Sequence, residues 1–268
     1  MIELVGDKDK HQWFTPVWAA EMLVQAHFGN LGADDLVVEP TAGVGNFLKA
    51  IPENVRAIGV ELDPELAAAA RAATGRPVIQ GDFTSVQLPE KPTAVIGNPP
   101  FDLELIDAIL DRCHDLLPNG GKAGFILPSY AFQTASRLVN YAHRWSVEQE
   151  MIPRNLFKNM MKPLCFAVFA KDGLGTLRGF SLYRELHDVN GMSKWAAKEL
   201  STTKSPWKSV VAKAVADMGG EASLSDIYEA IEPQRPTENK WWQAKIRQTL
   251  GRSGAFKRIG ESRWALAA

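Results

Sequence analysis

The sequence predicts an α/β protein: a parallel sheet flanked by helices, followed by a small helical unit that ends in a β-hairpin. Three observations carry that expectation. Between residues 12 and 172, short β-branched or apolar runs alternate with amphipathic segments, the pattern of βαβ units. From about Asp188 to Ser205 the chain turns polar and small (DVNGMSK, STTKSP), the composition of a linker. The charge then changes sign: residues 1–200 hold 19 basic and 24 acidic residues, and residues 201–268 hold 11 and 7. The total of 30 Lys+Arg against 31 Asp+Glu in 268 residues is therefore an average of two unlike parts, and it does not exclude a nucleic-acid partner. The expected division is a body over 1–190, a linker over 191–205 and a small unit over 206–268. With 46% hydrophobic residues, the body is large enough to bury a core.

The elements follow in order. Residues 17–27 carry apolar side chains at helical spacing behind Thr15-Pro16, read as a capping residue with proline at the first helical position. Strands are expected at 36–39, 57–61, 78–80, 94–96, 123–127 and 164–170. Between them, 64–73 is alanine-rich behind Pro64 and strongly helical in propensity, and 103–117 is a further helix that stops before Pro118-Asn119-Gly120-Gly121. Residues 194–200 have room for one or two helical turns. Helices at 207–218, 224–231 and 237–250, then strands at 255–259 and 262–266 about a Gly260 turn, give the element order of a winged helix.

Cys113 and Cys165 stand far apart, and neither has a CxxC partner or a histidine at ligand spacing, so no disulfide framework and no zinc site are expected. The five histidines show no metal or catalytic spacing. No stretch approaches the ~20 apolar residues of a membrane span, and MIELVGDKDKHQ lacks an apolar signal core. The expectation is a cytoplasmic protein without a metal or a membrane partner.

Chemistry enters at VVEPTAGVGNF (Val37–Phe47), which sets Gly43 and Gly45 in a strand-to-helix turn where bare backbone lets a ligand approach. By itself such a turn is also an ordinary tight connection. Two acids then arrive at fitting distances: Glu61 at the end of the next strand in GVELD, and Asp82 after the third strand in QGDF. A carboxylate at the end of the second strand can accept both hydroxyls of a ribose. The turn lacks the third glycine of a pyrophosphate fingerprint, and Glu39 precedes it. An acid there repels a pyrophosphate and suits a cationic amino group, which favours S-adenosylmethionine over NAD.

On these residues the chain resembles the Rossmann-like class I S-adenosylmethionine-dependent methyltransferases, in particular the amino-methyltransferases of adenine. The resemblance covers residues 12–172. It implies that Phe14-Thr15-Pro16 is the N-terminal cofactor segment at the methionine carboxylate. It places Glu39, Pro40, Thr41, Ala42, Gly43, Gly45 and Phe47 in the cofactor loop, and Glu61 with its neighbour Leu62 at the ribose. Asp82 and Phe83 fall to the cofactor adenine, through its exocyclic amine and its face.

The second constellation is Asn98-Pro99-Pro100-Phe101, after the fourth strand, at the edge where open α/β sheets place their sites. The exocyclic amine of adenine is a poor nucleophile because its lone pair is delocalised into the ring. Two acceptors aimed at its N–H groups, the Asn98 side-chain carbonyl and the Pro99 backbone carbonyl, favour a pyramidal nitrogen with a directed lone pair. The paired prolines hold that carbonyl rigid, and Phe101 is the expected stacking partner of the target ring. In the family, Asn in this motif goes with adenine N6, and Asn98 also closes the cofactor set. The motif order resembles the gamma arrangement of DNA adenine methyltransferases, some of which carry a second aromatic wall at the position of Phe157; an ordinary core phenylalanine is the alternative reading. Gamma enzymes usually carry a large target-recognition domain, for which residues 173–268 leave little room, so selectivity is expected to be short or supplied by another chain.

In the C-terminal unit, a helical wheel over 237–251 puts Trp242, Ile246 and Leu250 on one face and Lys240, Arg247 and Gln248 on the other, with Trp241 at the boundary. The polar face suits a major groove, and the hairpin, with Lys257, Arg258 and Arg263, suits phosphates. A solvated basic face is the alternative. The combined expectation is a restriction–modification type DNA adenine N6-methyltransferase that acts on double-stranded DNA with the adenine flipped out, with an accessory or restriction subunit as a further partner. Two other readings stay open: methylation of RNA adenine or of protein glutamine, and a DNA-binding regulatory subunit whose methyltransferase domain is weak or needs a partner. The glutamine enzymes favour Tyr at the Phe101 position and carry an N-terminal helical domain, which is not expected here.

Overall fold

The computed structural model describes residues 13–157, 160–183, 206–235 and 240–267. The chain divides into two compact units, one of residues 1–131 and 144–179 and one of residues 132–143 and 180–268. The division differs from a single boundary at residue 190: residues 132–143 and those from Phe180 onward group with the second unit. The expected linker 191–205 and the turns at 194–200 lie outside the described residues.

In the first unit, helix α1 (Val17–Phe28) begins directly after Pro16, whose carbonyl accepts from the Ala19 and Ala20 N–H groups. The Thr15 hydroxyl makes no capping bond, contrary to the expected cap. Strand β1 (Leu36–Glu39) is buried along its whole length, as a central parallel strand must be, and leads through the glycine turn into the short helix α2 (Asn46–Ala50). Strand β2 (Arg56–Glu61) precedes α3 (Pro64–Thr74), whose start is fixed by Asp63: its side chain accepts from the Glu65 and Leu66 N–H groups, with Pro64 in the first turn. Strands β3 (Val78–Gln80) and β4 (Ala94–Gly97) follow. Helix α4 (Leu103–Leu116) is capped by Asp102, and β5 (Lys122–Pro128) completes the parallel set.

Three further strands, β6 (Ser146–Ile152), β7 (Leu164–Ala170) and β8 (Leu177–Arg178), extend the sheet to the order β3-β2-β1-β4-β5-β7-β6-β8. The sheet is mixed, which corrects the purely parallel expectation: β7 runs antiparallel to both β5 and β6. The reason is the short connection 153–163, which returns the chain from β6 to β7 without a crossover helix. Strand β6 escapes the sequence reading because its middle, Glu148-Gln149-Glu150, is polar, while Val147 and Ile152 are buried.

The second unit holds α5 (Ala135–Arg144, all but its last residue), α6 (Pro206–Asp217), β9 (Glu221–Ser223), α7 (Leu224–Ile231), α8 (Trp242–Arg252), β10 (Phe256–Gly260) and β11 (Arg263–Leu266). Near α5, Phe132 packs edge-on against Tyr141 and Phe180 at ring separations of 5.9 and 5.1 Å. Ser223 caps α7 in a capping box with Asp226. Strand β9, absent from the sequence reading, pairs with β11 to make a three-stranded sheet, β10-β11-β9. The hairpin turns at Glu261-Ser262, with Ser262 at φ 56°, rather than at Gly260, which ends β10 beside a register shift. Val211, Val215, Ile227, Ile231, Trp242, Ile246 and Leu250 form this unit's core.

Candidate active site

A cleft of about 480 Å³ opens at the carboxyl ends of β1, β2 and β4, where the strand order reverses between β1 and β4. Open α/β sheets bind ligands at that switch point. The sequence-predicted residues Phe14, Thr15, Glu39, Pro40, Thr41, Ala42, Gly43, Phe47, Glu61, Leu62, Asp82, Phe83, Asn98, Pro99 and Pro100 all line it. So do Trp13, Asn46, Asp63, Leu105 and Ile109, which the sequence reading passed over. Pro16 and Gly45 lie off the wall. Gly45, at φ 80°, serves helix packing, since a Cβ there would meet the Thr74 methyl at 2.7 Å. Gly43, at φ 53°, faces the cleft, and a Cβ would meet the Phe14 ring at 3.0 Å.

The two acids of the first constellation differ in setting. Glu61 is held at both oxygens: Oε2 accepts from the Gly43 N–H at 2.7 Å and Oε1 from the Asp63 N–H at 2.9 Å. Each carboxylate oxygen keeps a lone pair for a hydroxyl donor. Glu39 is 2% exposed, and its Oε2 accepts from the Leu48 N–H of α2 at 3.0 Å. Burial pushes its carboxyl well above the ordinary carboxylate range, against the pull of the Leu48 N–H and with Glu61 adding to the rise. A cationic group in the cleft would relieve that cost. Asp82 is exposed, and its Oδ1 accepts from the backbone N–H and hydroxyl of Thr84, both at 2.8 Å.

The Asn98–Phe101 loop is tied on several sides. Asn98 Nδ2 donates to the Trp13 carbonyl at 2.6 Å, and Asn46 Nδ2 fixes the same segment through the Thr15 carbonyl at 2.8 Å. The Thr41 hydroxyl donates to the Asn98 carbonyl at 3.5 Å, the Asp102 N–H to that of Pro100 at 2.8 Å and the Tyr130 hydroxyl to that of Phe101 at 3.1 Å. Of the four backbone carbonyls in the motif, that of Pro99 alone takes no donor among the described residues. Asn98 Oδ1 and the Thr15 hydroxyl are likewise buried polar atoms without a partner there. Unsatisfied buried polar atoms of this kind are uncommon in native interiors, and a bound ligand is one way to complete their bonding.

Phe101 and Phe157 lie elsewhere. They are 6% and 5% exposed, sit in the hydrophobic core with Ile152, Met160 and Leu164, and do not line the cleft. For Phe157 this is the core placement that the sequence left open. Phe101, expected to stack on the target ring, has its side chain in the core here.

In the second unit α8 begins at Trp242, so Lys240 and Trp241 precede it and 237–239 of the expected helix lie outside the described residues; from Trp242 on, the two faces match the wheel. Trp242, Ile246 and Leu250 are buried, and Lys240, Lys245, Arg247, Gln248 and Arg252 are exposed, as are Lys257, Arg258 and Arg263 on the hairpin. Several of these already have partners: Arg247 Nη1 donates to the Tyr228 hydroxyl at 2.8 Å, Lys245 to the Gln248 side chain at 3.0 Å and Arg263 to Glu221 at 3.1 Å. Trp241 is 66% exposed, with the Lys240 ammonium 5.1 Å from its ring centroid. Among the described residues no cluster of His, Cys, Asp or Glu could hold a metal ion, and no helix is long and apolar enough to cross a membrane.

No protein-family profile matches the chain. The chain is 40% identical over 68 residues to the type II methyltransferase M.CvrRI of Paramecium bursaria Chlorella virus XZ-6E, a stretch that spans 24% of this chain and 18% of that protein. Among solved structures, it superposes with a TM-score of 0.54 and 16% identity on the type I restriction enzyme EcoKI M protein, covering 62% of this chain and 47% of that one. A Listeria monocytogenes protein assigned to the class I S-adenosylmethionine-dependent methyltransferases gives 0.52 and 18%, over 62% and 63%. The first unit has the Rossmann-like class I methyltransferase fold.

Proposed function

We propose that this chain is a DNA adenine N6-methyltransferase of the restriction–modification type, using S-adenosylmethionine as cofactor. The observation that carries the reading is the pair of unengaged acceptors on adjacent residues, Asn98 Oδ1 and the Pro99 carbonyl, in the wall of a cleft that Glu61 also lines. A primary amine on an aromatic ring offers two N–H donors, and this site has two acceptors to receive them.

The residues present fit the cofactor. The bare backbone at Gly43 leaves room beside Phe14, the fixed carboxylate of Glu61 suits a ribose, and buried Glu39 suits a cationic amino group. Asp82 and Phe83 would hold its adenine. The cofactor supplies an electrophilic methyl group on a sulfonium sulfur. The chain's own part is to accept from both N–H groups of the target, so that the nitrogen lone pair is freed from the ring and directed into the cleft. The site needs no nucleophilic side chain, because the target nitrogen is itself the nucleophile and its surplus proton leaves to water. The relatives' names, a type II methyltransferase and a type I restriction enzyme subunit, support DNA as the substrate and allow a partner subunit.

The second unit is the DNA reader in this proposal. From α6 onward its helix, strand, helix, helix, hairpin order supports a winged-helix reading, and Lys240, Arg247, Gln248, Lys257 and Arg258 are exposed. The adenine is flipped out of the duplex, since a stacked amine cannot enter a cleft.

Incubation with methyl-tritiated S-adenosylmethionine and, in parallel, duplex DNA, RNA or glutamine-bearing protein tests the reading. N6-methyladenine released from the DNA is the expected product. Label confined to RNA or to glutamine overturns the substrate assignment. Cofactor and DNA binding without transfer would identify the regulatory subunit instead.

A further inference from the structure

We propose that Tyr130 is a positioning residue for the Asn98–Phe101 loop and that Lys162 sets the direction of its hydroxyl, an inference that rests on the reading of that loop as the amine-binding element. Tyr130 sits in the 3-10 turn Ser129–Phe132 that directly follows β5. Its hydroxyl donates to the Phe101 carbonyl at 3.1 Å. The Lys162 ammonium approaches the same oxygen at 3.4 Å and stands 5.4 Å from the ring centroid. Three separate parts of the sheet's carboxyl edge thus meet in one chain, from ammonium to phenol to carbonyl.

The direction of that chain is dictated by chemistry. An ammonium donates and cannot accept, whereas a phenol has one proton and accepting lone pairs. The phenol oxygen therefore accepts from Lys162, and its single proton is left for Phe101. A cation on the oxygen also makes the phenol a stronger donor. The rest of the loop is held at its beginning, through Trp13 and Thr41, and among the described residues the Pro100 carbonyl is engaged by the neighbouring Asp102 N–H alone. At the far end the buried Phe101 ring and the Asp102 cap hold the side chain and the helix start, and Tyr130 holds the Phe101 carbonyl. Because Pro99 and Pro100 are stiff, a shift at Phe101 is carried back to the Pro99 carbonyl and away from the amine it would receive.

The test uses the full chain and the variants Tyr130→Phe, Lys162→Met, Lys162→Arg and the double variant Tyr130→Phe/Lys162→Met. Tyr130→Phe keeps the ring and removes one hydrogen bond of ordinary strength, worth about tenfold. Hydrogen exchange of the backbone amides of Phe101 and Asp102 should quicken by that factor. Single-turnover methyl transfer should slow by about the same factor, with the dissociation constant for S-adenosylmethionine within about twofold of the parent. Lys162→Met should cost about threefold, Lys162→Arg should restore the rate, and the double variant should be no slower than Tyr130→Phe, because the lysine acts through the hydroxyl. Unchanged exchange in Tyr130→Phe overturns the proposal whatever the substrate proves to be, and so do losses that multiply in the double variant. Failure of the wider functional reading is seen separately, in the parent chain's choice of acceptor.

Discussion

The side-chain amide of Asn98 donates to the backbone carbonyl of Trp13 at 2.6 Å, joining residues 85 positions apart in sequence. That bond fixes which end of the amide does what. With Nδ2 committed to Trp13, Oδ1 is the atom left to accept from a substrate, and it is buried without a partner among the described residues. Asn98→Ala should therefore slow methyl transfer by roughly 10²–10³, the usual cost of removing one preorganised polar group at a reacting centre. Cofactor affinity should fall by a smaller factor, through the lost tie to Trp13, because the glycine turn and Glu61 are untouched. Single-turnover rates beside equilibrium binding check it: near-parental turnover would remove Asn98 from the chemistry.

Glu61 makes the complementary prediction. Its carboxylate accepts from Gly43 and Asp63, so it shapes the turn while lining the cleft. Glu61→Ala removes a charge-assisted acceptor and leaves the Gly43 N–H without its partner, and together these should weaken cofactor binding by at least about tenfold. DNA affinity, measured by anisotropy without cofactor, should stay at the parental value. If DNA binding fell and cofactor binding did not, the ribose assignment would fail.

These two sites were legible in the sequence because each is local: a glycine turn after an apolar strand, an acid ending the next strand, an asparagine with two prolines after the fourth. What was not legible depends on tertiary closure. The role of Trp13 and Asn46 rests on hydrogen bonds to residues far along the chain, and no spacing rule announces them. Gly45 looked like a ligand glycine and packs against α3 instead, because its φ and the proximity of Thr74 are set by the helix pair. The polar centre of β6 hid a strand whose ladder with β7 supplies the pairing that its side chains do not advertise. Phe101 is an aromatic in a loop by sequence and a core residue by packing.

The basic hairpin gives a prediction about salt. Lys257 and Arg258 are exposed on β10, and each phosphate they neutralise should release counterions. Lys257→Ala/Arg258→Ala should lower the slope of log K against log salt by roughly 0.9 for every phosphate that is no longer neutralised, with affinity falling most at low salt. The catalytic rate at saturating DNA should be close to the parental one. An unchanged slope over a salt titration would show that the hairpin is not on the phosphates.

Glu39 links the site to stability. Burial holds its folded carboxyl well above the ordinary carboxylate range, so between the unfolded and the folded titration points the native state keeps a proton that the unfolded chain has lost. Stability from this group is fully present below the unfolded value and declines as pH rises through the folded one. In that window the parent should lose about 1.4 kcal/mol per pH unit relative to Glu39→Gln, which keeps an acceptor for the Leu48 N–H and has nothing to titrate. The difference between the two should be smallest at acid pH, widen in favour of Glu39→Gln with rising pH and level off once Glu39 ionises in the folded chain. Urea unfolding of both proteins from about pH 4 to pH 9 reads this directly. A flat difference would mean that Glu39 already finds its counter-charge in the folded protein, and the case for a cationic ligand group beside it would lose its physical basis.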